Sequence, residues 1–411
     1  MRSERIWGIW VLTSEAPKLR DILELNYGFP LTSEDRIMGN FPVYGSNGIT
    51  DYHNESKVKG PGIIIGRKGN PGTINWSDSD FFPIDTTFYV EMKNSSIPLF
   101  YAYLALKQMN LPWFAADSAV PGINRKTVLN LPFEFDVSEE HMYLNIKNGT
   151  TINNLIKNVE KKEKVIKEMV RALFRSWFID FDPVKAKVEG KLPFGMDEET
   201  AALFPDSFEN SENGELPKGW SWGTLLDISK IWTGGTPKTS ESSYWGGDIP
   251  WVSGADLSSN DLFAFDSARK VTSLGVEKSS TKILPVGTVM ITARGTVGAT
   301  KITAVPMAMS QTSFGFKAKK GISDALVYLA SQETIRQLHS FAYGAVFDTF
   351  TQSTIDITKI AIAPMEVLQA FGKIVDPLFE TMKNSAKEII ELSSTRDALL
   401  PRLMSGELKV N

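Results

Sequence analysis

The sequence predicts an α+β protein with two similar domains, each a strand-rich mixture of helix and strand, separated by two long antiparallel helices. Three observations support this prediction. The chain has 411 residues. A single hydrophobic core stops growing at about 250–300 residues, so a chain of this length is expected to form more than one core. Two long stretches carry apolar residues at the spacing of a helix seam. The segments before these stretches share short motifs in the same order, which indicates an internal repeat.

The two helical patterns cover roughly residues 139–180 and 366–404. Spacings of three and four recur among the apolar residues there, with Lys162 filling one slot of the first pattern, and this is typical of helices packed along their length. Pro377 lies inside the second pattern, so a kink or a later helix start is expected. The seam positions are Ile152, Leu155, Val159, Ile166, Met169, Leu173 and Trp177 in the first pattern, and Phe371, Ile374, Leu378, Met382, Ile389, Leu392, Leu399 and Leu403 in the second.

Short motifs link the two halves of the chain. The matching pairs are residues 19–22 with 225–228, 69–72 with 295–298, 85–88 with 311–314, and 173–174 with 399–400. The offset is 206 residues for the first pair and 226 for the other three, so the second half carries 20 extra residues before its glycine loop. Several matches in one order favour duplication over chance.

These patterns predict five regions. They are a first globular domain (1–138), a first spacer helix (139–182), an acidic linker (183–215), a second globular domain (216–365) and a second spacer helix (366–411). Residues 189–215 hold eight acidic side chains and one lysine, so the remaining chain is net positive although the whole is −4. Each helix has an apolar seam to bury, so the two are expected to pack together in an internal pseudo-two-fold arrangement.

The residues that catalysis usually requires are absent or scattered. There is no cysteine, which excludes disulfides and thiolate metal sites and fits a reducing cytoplasm, the expected location. His53, His141 and His339 are far apart and match no metalloprotease spacing. No GxxxxGK[ST] phosphate loop and no apolar run of about 18 residues occur. The sequence therefore predicts no catalytic, cofactor or metal site and no membrane span, and it favours a binding function.

Two glycine loops, 65–72 and 292–298, are the best candidates for nucleic-acid contact, and Lys68 and Arg294 hold equivalent positions in them. Glycine lets the backbone approach a partner, and Lys or Arg supplies phosphate or guanine contacts. Plain turns are the alternative, since they use the same residue types. Trp76, Trp113, Trp220 and Trp222 are expected in the core. The candidate DNA-binding residues are Ser46, Asn47, Arg67, Lys68, Asn70, Asn124, Arg125 and Lys126 in the first half, and Thr236, Lys238, Ser253, Arg294, Thr296 and Gln352 in the second.

Four strings resemble the specificity subunits of type I restriction–modification systems. They are Leu-Pro-Lys-Gly-Trp at 216–220, the stretch from Phe178 to Lys187, the stretch from Ala202 to Phe208, and the tail at 400–408. The resemblance spans nearly the whole chain. The first domain departs from it, because residues 16–20 read Ala-Pro-Lys-Leu-Arg where the second domain has its Leu-Pro-Lys-Gly-Trp opening.

The resemblance implies that each globular domain is a target-recognition domain reading one half of a bipartite double-stranded DNA site. It implies that the spacer helices dock two methyltransferase subunits, and that restriction subunits join the full complex. S-adenosylmethionine, ATP and Mg are then expected in those partners, and this chain would be noncatalytic. Two alternatives remain open. One is a protein–protein scaffold built on the helical rod, and the other is a stand-alone enzyme acting on nucleic acid.

Overall fold

The computed structural model describes residues 16–115, 122–258, 261–294, 297–341 and 351–408. The chain divides into two compact units. The first comprises Met1–Ile156 with Leu392–Asn411, and the second comprises Lys157–Glu391. Within the described residues, none of the helices combines the length and the apolar character needed to cross a membrane.

Two β-sheets form the scaffold of the first unit. Its elements are α1 (Leu19–Ile22), β1 (Leu23–Tyr27), β2 (Phe41–Gly45), β3 (Gly48–His53), β4 (Gly62–Gly66), β5 (Ile74–Ser77), β6 (Phe82–Pro83), β7 (Thr87–Met92), α2 (Leu99–Gln108), α3 (Arg125–Leu129) and the start of α4 (Glu139–Phe178). The main sheet is antiparallel, in the order β1-β7-β4-β5. The smaller sheet has the order β3-β2-β6. Strand β4 is buried throughout because its sequence is apolar and it lies inside the sheet.

The second unit repeats this scaffold with additions. Its elements are α5 (Asp182–Val188), α6 (Glu198–Ala202), β8 (Phe208–Ser211), β9 (Gly214–Pro217), β10 (Ser221–Gly223), α7 (Leu225–Ile228), β11 (Ser229–Thr233), β12 (Trp245–Val252), α8 (Gly254–Leu257), β13 (Phe263–Ala264), β14 (Arg269–Val271), α9 (Ser273–Glu277), β15 (Val289–Thr292), β16 (Thr300–Thr303), β17 (Ala308–Met309), β18 (Ser313–Ala318), α10 (Asp324–Phe341), α11 (Gln352–Ile357), β19 (Ile360–Ile362) and α12 (Met365–Met404). The main sheet has the order β11-β18-β15-β16-β13, and a smaller one has the order β14-β12-β17.

The predicted internal repeat is confirmed by the sheet topology. The order β1-β7-β4-β5 in the first unit corresponds strand by strand to β11-β18-β15-β16 in the second. The order β3-β2-β6 corresponds in the same way to β14-β12-β17. Loop hydrogen bonds recur at the predicted offset of 226 residues. From donor N–H to acceptor C=O they are Gly66–Thr73 (2.9 Å) with Thr292–Ala299 (2.9 Å), and Arg67–Thr86 (2.8 Å) with Ala293–Thr312 (2.7 Å).

The strand registers locate the 20 extra residues of the second half. Val43 pairs with Phe82 and Asp51 in the first unit, whereas Trp251 pairs with Ala308 and Arg269 in the second. The difference in residue number between equivalent positions therefore rises in steps. It is 206 at α1 and α7, 208 at β2 and β12, 218 at β3 and β14, and 226 at the two glycine loops. Most of the extra residues lie in two segments, one between β12 and β14 that contains α8, and one after β14 that contains α9. Arg269 of β14 thus occupies the position that Asp51 occupies in β3.

The two long helices also repeat. Helices α4 and α12 have 40 residues each, and both of their ends differ by 226. Helix α12 begins at Met365 and continues through Pro377, so the predicted later start is wrong. In the first unit the helices run in opposite directions, because His141 contacts the carbonyl of Met404 and Arg396 donates to Asn153. The antiparallel arrangement along their whole length stays a prediction.

The predicted seam positions are partly wrong. Leu155 and Met169 are 48% and 56% exposed, and Ile374 of α12 is exposed as well. The predicted Ile166 and Trp177 are buried, and the other buried apolar side chains of α4, which were not predicted, are Met142, Ile156, Val170, Phe174 and Phe178. A straight helix drifts relative to a strict seven-residue repeat. In the second unit the C-terminal half of α4 also packs into the domain core, so its buried face is wider than a seam.

The predicted acidic linker is ordered and belongs to the second unit. It contains α5, α6 and the hairpin of β8 and β9. Val184 and Phe204 are buried in the core of that unit, and Phe204 lies edge-on to Trp177 with ring centroids 4.9 Å apart. Trp220 of the Leu-Pro-Lys-Gly-Trp string packs against Phe181 at 5.7 Å. The aromatic residues in these strings therefore build a core, while the acidic side chains remain at its surface.

Candidate nucleic-acid interface

The β4–β5 loop of the first unit folds tightly around its glycines. Gly72 has a φ of +85°, and a Cβ there would lie 2.4 Å from the backbone nitrogen of Pro112. The N–H of Gly72 donates to the carbonyl of Gly66 at 2.8 Å, and Asn70 donates to Lys68 at 3.0 Å. These bonds close the loop on its own backbone. The side chains of Lys68 and Asn70 are therefore exposed rather than buried.

The hairpin between β2 and β3 rests on this loop. Ser46 is only 8% exposed, and its hydroxyl lies 2.8 Å from the carbonyl of Thr86 and 2.5 Å from that of Lys68. Both partners are hydrogen-bond acceptors, so the hydroxyl proton of Ser46 is already used inside the protein. Asn47, the next residue along the turn, is exposed. This arrangement suits Ser46 to holding the turn in place and leaves Asn47 free to meet a partner.

Two predicted arginines are anchored by neighbouring groups. Arg67 donates through Nε and Nη2 to the carbonyl of Asp85, at 3.1 and 2.5 Å. Arg125 forms an ion pair with Glu24 at 2.9 Å. Their guanidinium carbons lie 5.2 and 5.9 Å from the ring centroid of Tyr27, which is 52% exposed. Tyr27 was not predicted as a site residue. The signal available was its place at the end of β1, on the face that buries Leu23 and Leu25 nearer the core.

The third predicted segment of the first unit lies beside the same loop. Ile123 donates its N–H to the carbonyl of Arg67 at 3.0 Å, and Lys68 bridges to Gly122. Asn124 caps α3, because its side-chain oxygen accepts the N–H of Lys126 at 2.8 Å. The side chain of Lys126 is exposed. The structure therefore brings the three separate stretches of sequence that carry the eight predicted residues together around the β4–β5 loop.

Trp113 contradicts its prediction as a core residue. It is 75% exposed and follows Pro112, which lies against Gly72 of the β4–β5 loop. The 3-10 segment Leu111–Ala115 buries only its first and last residues, and this forces the residues between them outward. Trp220 is buried as predicted. Trp76 is half-buried against Phe100 and Tyr103, and Trp222 is half-buried as well.

The corresponding loop of the second unit repeats the geometry at the last glycine. Gly298 has a φ of +89° and donates its N–H to the carbonyl of Thr292 at 3.1 Å. Arg294 is exposed, as Lys68 is at the equivalent position. Thr296 lies outside the described residues. Gln352 begins α11, and its side chain also lies outside what is described.

The other predicted residues of the second unit occupy two loops. The hydroxyl of Thr236 bonds to the side chain of Gln311, which directly precedes Thr312, the acceptor for the Ala293 N–H. These bonds join the loop that carries Thr236 to the loop that carries Arg294. Lys238 is exposed and lies 3.7 Å from Glu241.

Ser253 is half-buried and its hydroxyl donates to Asp256 at 2.6 Å, as part of the cap of α8. Burial acts to raise the pKa of Asp256. Hydrogen bonds from the Ser253 hydroxyl and the N–H of Ala268 outweigh this effect and lower that pKa below its usual range. The Ser253 hydroxyl is therefore engaged within the protein, like that of Ser46.

A cluster of two tryptophans and one arginine lies next to the Thr236 loop. The rings of Trp245 and Trp251 meet edge to face, with centroids 5.2 Å apart and planes at 85°. The guanidinium carbon of Arg269 lies 3.6 Å from the centroid of Trp245. Trp251 donates its indole N–H to the carbonyl of Gly235 at 2.9 Å. Sequence reasoning did not single out this cluster, because its members are separated along the chain by unequal spacings that carry no motif.

In the part of the chain that the structure describes, no three or more histidine or acidic side chains come together as metal ligands. The predicted residues at both surfaces present amides, hydroxyls, and ammonium and guanidinium groups, and aromatic rings lie beside them. Such groups donate hydrogen bonds, offer positive charge and stack, and these are the interactions that nucleic acids accept.

A sequence model of one protein family matches the chain twice. The family is described as "Type I restriction modification DNA specificity domain", and the matches cover residues 13–168 and 217–394. Together they span well over half of the chain, and each contains one copy of the repeated scaffold. The chain belongs to this family of DNA specificity subunits. Specificity subunits are noncatalytic, and the catalytic activities of such systems reside in partner subunits.

Two individual relatives and one solved structure are similar to this chain. The chain is 26% identical over 385 residues to the type I restriction enzyme HindI specificity subunit of Haemophilus influenzae, covering 81% of this chain and 82% of that protein. It is 29% identical over 189 residues to the MjaIX specificity subunit of Methanocaldococcus jannaschii, covering 45% and 44%. A type I S subunit structure from M. genitalium aligns with 98% of this chain and 99% of its own, at 14% identity and a TM-score of 0.49.

Proposed function

We propose that the chain reads a bipartite DNA target, one half with each globular domain, and that it holds two methyltransferase subunits on its long helices. The observation that carries this proposal is the repeated scaffold with a basic side chain exposed at the same loop position in both copies. Lys68 and Arg294 are separated by the 226 residues that also relate the loop hydrogen bonds. Duplicated readers suit two half-sites at a fixed spacing.

The contacts inside the protein divide the predicted DNA-binding residues into two groups. Asn47, Lys68, Asn70, Lys126, Lys238 and Arg294 are exposed and able to reach a duplex. Ser46, Arg67, Asn124, Arg125, Thr236 and Ser253 make contacts that fix the loops. We assign DNA contact to the first group and positioning to the second. Thr296 and Gln352 keep their sequence-based prediction of DNA contact.

The long helices carry the features expected of a docking surface for protein partners. Apolar side chains on them are exposed, and contiguous exposed apolar surface is typical of sites where a protein partner binds. These side chains are Leu155, Val165 and Met169 on α4, and Ile374 and Ile390 on α12. The methyltransferase partners would bind S-adenosylmethionine, and the restriction subunits of the full complex would bring ATP and Mg. The same apolar residues support a second candidate, a protein–protein scaffold without DNA recognition.

Reconstitution separates these two functions. The purified chain, the methyltransferase subunit and their mixture are each incubated with genomic DNA and S-adenosylmethionine, and the methylated positions are mapped by sequencing. DNA reading predicts methylation by the mixture alone, confined to one bipartite motif. Turnover by the pure chain would contradict a noncatalytic role. A stable complex that methylates without any motif, or that shows no DNA binding, would favour the scaffold.

A further inference from the structure

We propose that Arg269, whose guanidinium lies over the ring of Trp245, reads a guanine in the half-site of the second domain. This inference rests on the proposed function and adds a specificity-determining residue to it. Its basis is the geometry of the Trp245–Arg269–Trp251 cluster, the lack of a partner for the guanidinium among the described residues, and the difference between the two copies of the repeat at this position.

The guanidinium of Arg269 is stacked rather than merely near an aromatic ring. Its carbon lies 3.6 Å from the centroid of Trp245 and 5.3 Å from that of Trp251. A planar guanidinium that stacks by its face keeps its N–H groups in the plane, pointing away from the ring. The stack therefore fixes the fork of donors without using any of them.

The platform under Arg269 is itself fixed. Trp251 is buried and donates its indole N–H to the carbonyl of Gly235 at 2.9 Å. Trp245 donates its indole N–H to the carbonyl of Lys238 at 3.3 Å. Both acceptors belong to the loop that also carries Thr236. Arg269 is thus connected through two anchored rings to the loops that carry the predicted DNA contacts.

Among the described residues, Arg269 has no partner that would occupy its donors. It is exposed, and no carboxylate or carbonyl among the described residues pairs with its guanidinium. The nearby acidic groups are engaged elsewhere, since Asp266 pairs with Lys270 at 3.2 Å and Asp256 accepts from Ser253. Arg67 and Arg125 differ in this respect, because Arg67 donates to the carbonyl of Asp85 and Arg125 pairs with the carboxylate of Glu24. An ordered and unpaired fork matches the O6 and N7 acceptors of guanine in the major groove, the commonest specific protein–DNA contact.

The repeat distinguishes base reading from phosphate contact. A basic side chain occurs in both copies at Lys68 and Arg294, as expected for a contact that every DNA sequence offers. At the edge strand the copies differ, since Asp51 stands where the second unit has Arg269. Asp51 pairs with Arg36 at 3.4 Å and has no tryptophan platform, because its strand partner Val43 replaces Trp251. One scaffold with opposite charges at one position is what two different half-sites require.

The test compares Arg269→Ala, Arg269→Lys and Trp245→Leu with the unchanged protein, each assembled with the methyltransferase subunit. Methylated motifs are mapped by sequencing, and binding to the original site is measured at fixed salt. We expect Arg269→Ala to make one G·C position of one half-site degenerate, with about 5- to 150-fold weaker binding to the original site. Arg269→Lys should relax the same position, because lysine lacks the fork. Trp245→Leu should do so to a smaller extent.

Lys270→Ala is the matched control. It removes a basic side chain from the same strand that already pairs with Asp266, and the motif should not change. Thermal unfolding is measured for each variant to check that the fold is kept. If Arg269→Ala is unstable, Arg269→Lys still tests the proposal, because it preserves the charge and removes only the guanidinium.

Two results would overturn the inference. One is an unchanged motif in both Arg269 variants. The other is a uniform loss of affinity for all sequences with a salt slope lower by about one, which identifies a phosphate contact. If the unchanged protein gave no bipartite motif, both the proposed function and the guanine contact would be refuted. An unchanged motif in the variants beside a normal control would refute the guanine contact alone.

Discussion

Removal of Lys68 and Arg294 tests whether the two glycine loops touch DNA. Both side chains are exposed, and neither pairs with another side chain in the described parts of the molecule. Surface substitutions of this kind usually change the free energy of unfolding by no more than about 0.5 kcal/mol. Lys68→Ala and Arg294→Ala should therefore fold normally, and any loss of DNA affinity would report a lost contact.

The size of the loss follows from counterion release. Each phosphate contact contributes about 0.9 to the slope of log affinity against log salt concentration. Each single variant should lower this slope by about one, and the double variant by about two. Between 50 and 200 mM salt, one contact changes the affinity about three- to fourfold. Because the loops belong to separate copies of the scaffold, the two effects should add.

The assay is fluorescence anisotropy of a labelled target duplex with the assembled complex at four or more salt concentrations. Lys57→Ala is a suitable control, since Lys57 is exposed in the first unit but pairs with Glu55 at 3.3 Å. Unchanged slopes in both loop variants, with the slope of the control also unchanged, would refute the assignment of these loops. The loops would then be tight turns that carry a solvated basic side chain, which is the alternative that the sequence left open.

Three further predictions concern single residues. Trp113→Ala should leave the melting temperature within about 2 °C, because this side chain is 75% exposed, and it should weaken DNA binding in the anisotropy assay if the ring stacks on a base or sugar. Gly72→Ala should lower the free energy of unfolding by at least about 1–3 kcal/mol in denaturant titrations, because φ is +85° and Pro112 blocks a Cβ; stability equal to that of the unchanged protein would contradict this loop geometry. Asp256→Asn should make the free energy of unfolding less sensitive to acid. The pKa of Asp256 in the folded protein lies below the unfolded value of about 3.9, so the carboxylate contributes stability above that pH and loses it as the pH falls through the folded pKa. Parallel curves of stability against pH for the two proteins would argue against a lowered pKa.

Much of the fold could be predicted from the sequence because it depends on local signals. The glycine loops need particular backbone conformations, and those requirements leave the same motif in both copies at a fixed offset. The long helices could be predicted for the same reason, since both cover 40 residues with apolar positions at helical spacing. The duplicated motif also singled out the loops of Lys68 and Arg294, and DNA contact by these two side chains stays a prediction.

Features that depend on tertiary packing escaped prediction. The buried face of α4 is set by the domain core as well as by the second helix, so Leu155 and Met169 are exposed although their spacing fits a seam. Trp113 is exposed because a 3-10 turn leaves room for only two of its residues in the core. The Arg269 stack joins β12 and β14 across an insertion that only the register of the sheet locates.

The domain exchange tests the central claim, that each copy of the scaffold reads its own half-site. Residues 20–130 are replaced by the equivalent segment of a relative with a different target, and the hybrid is assembled with the methyltransferase subunit. The methylated motif is then mapped across a genome. Independent readers predict a hybrid motif in which one half is new and the other half, with the spacer, is unchanged. A stable, active hybrid in which both halves change, or neither, would contradict the claim.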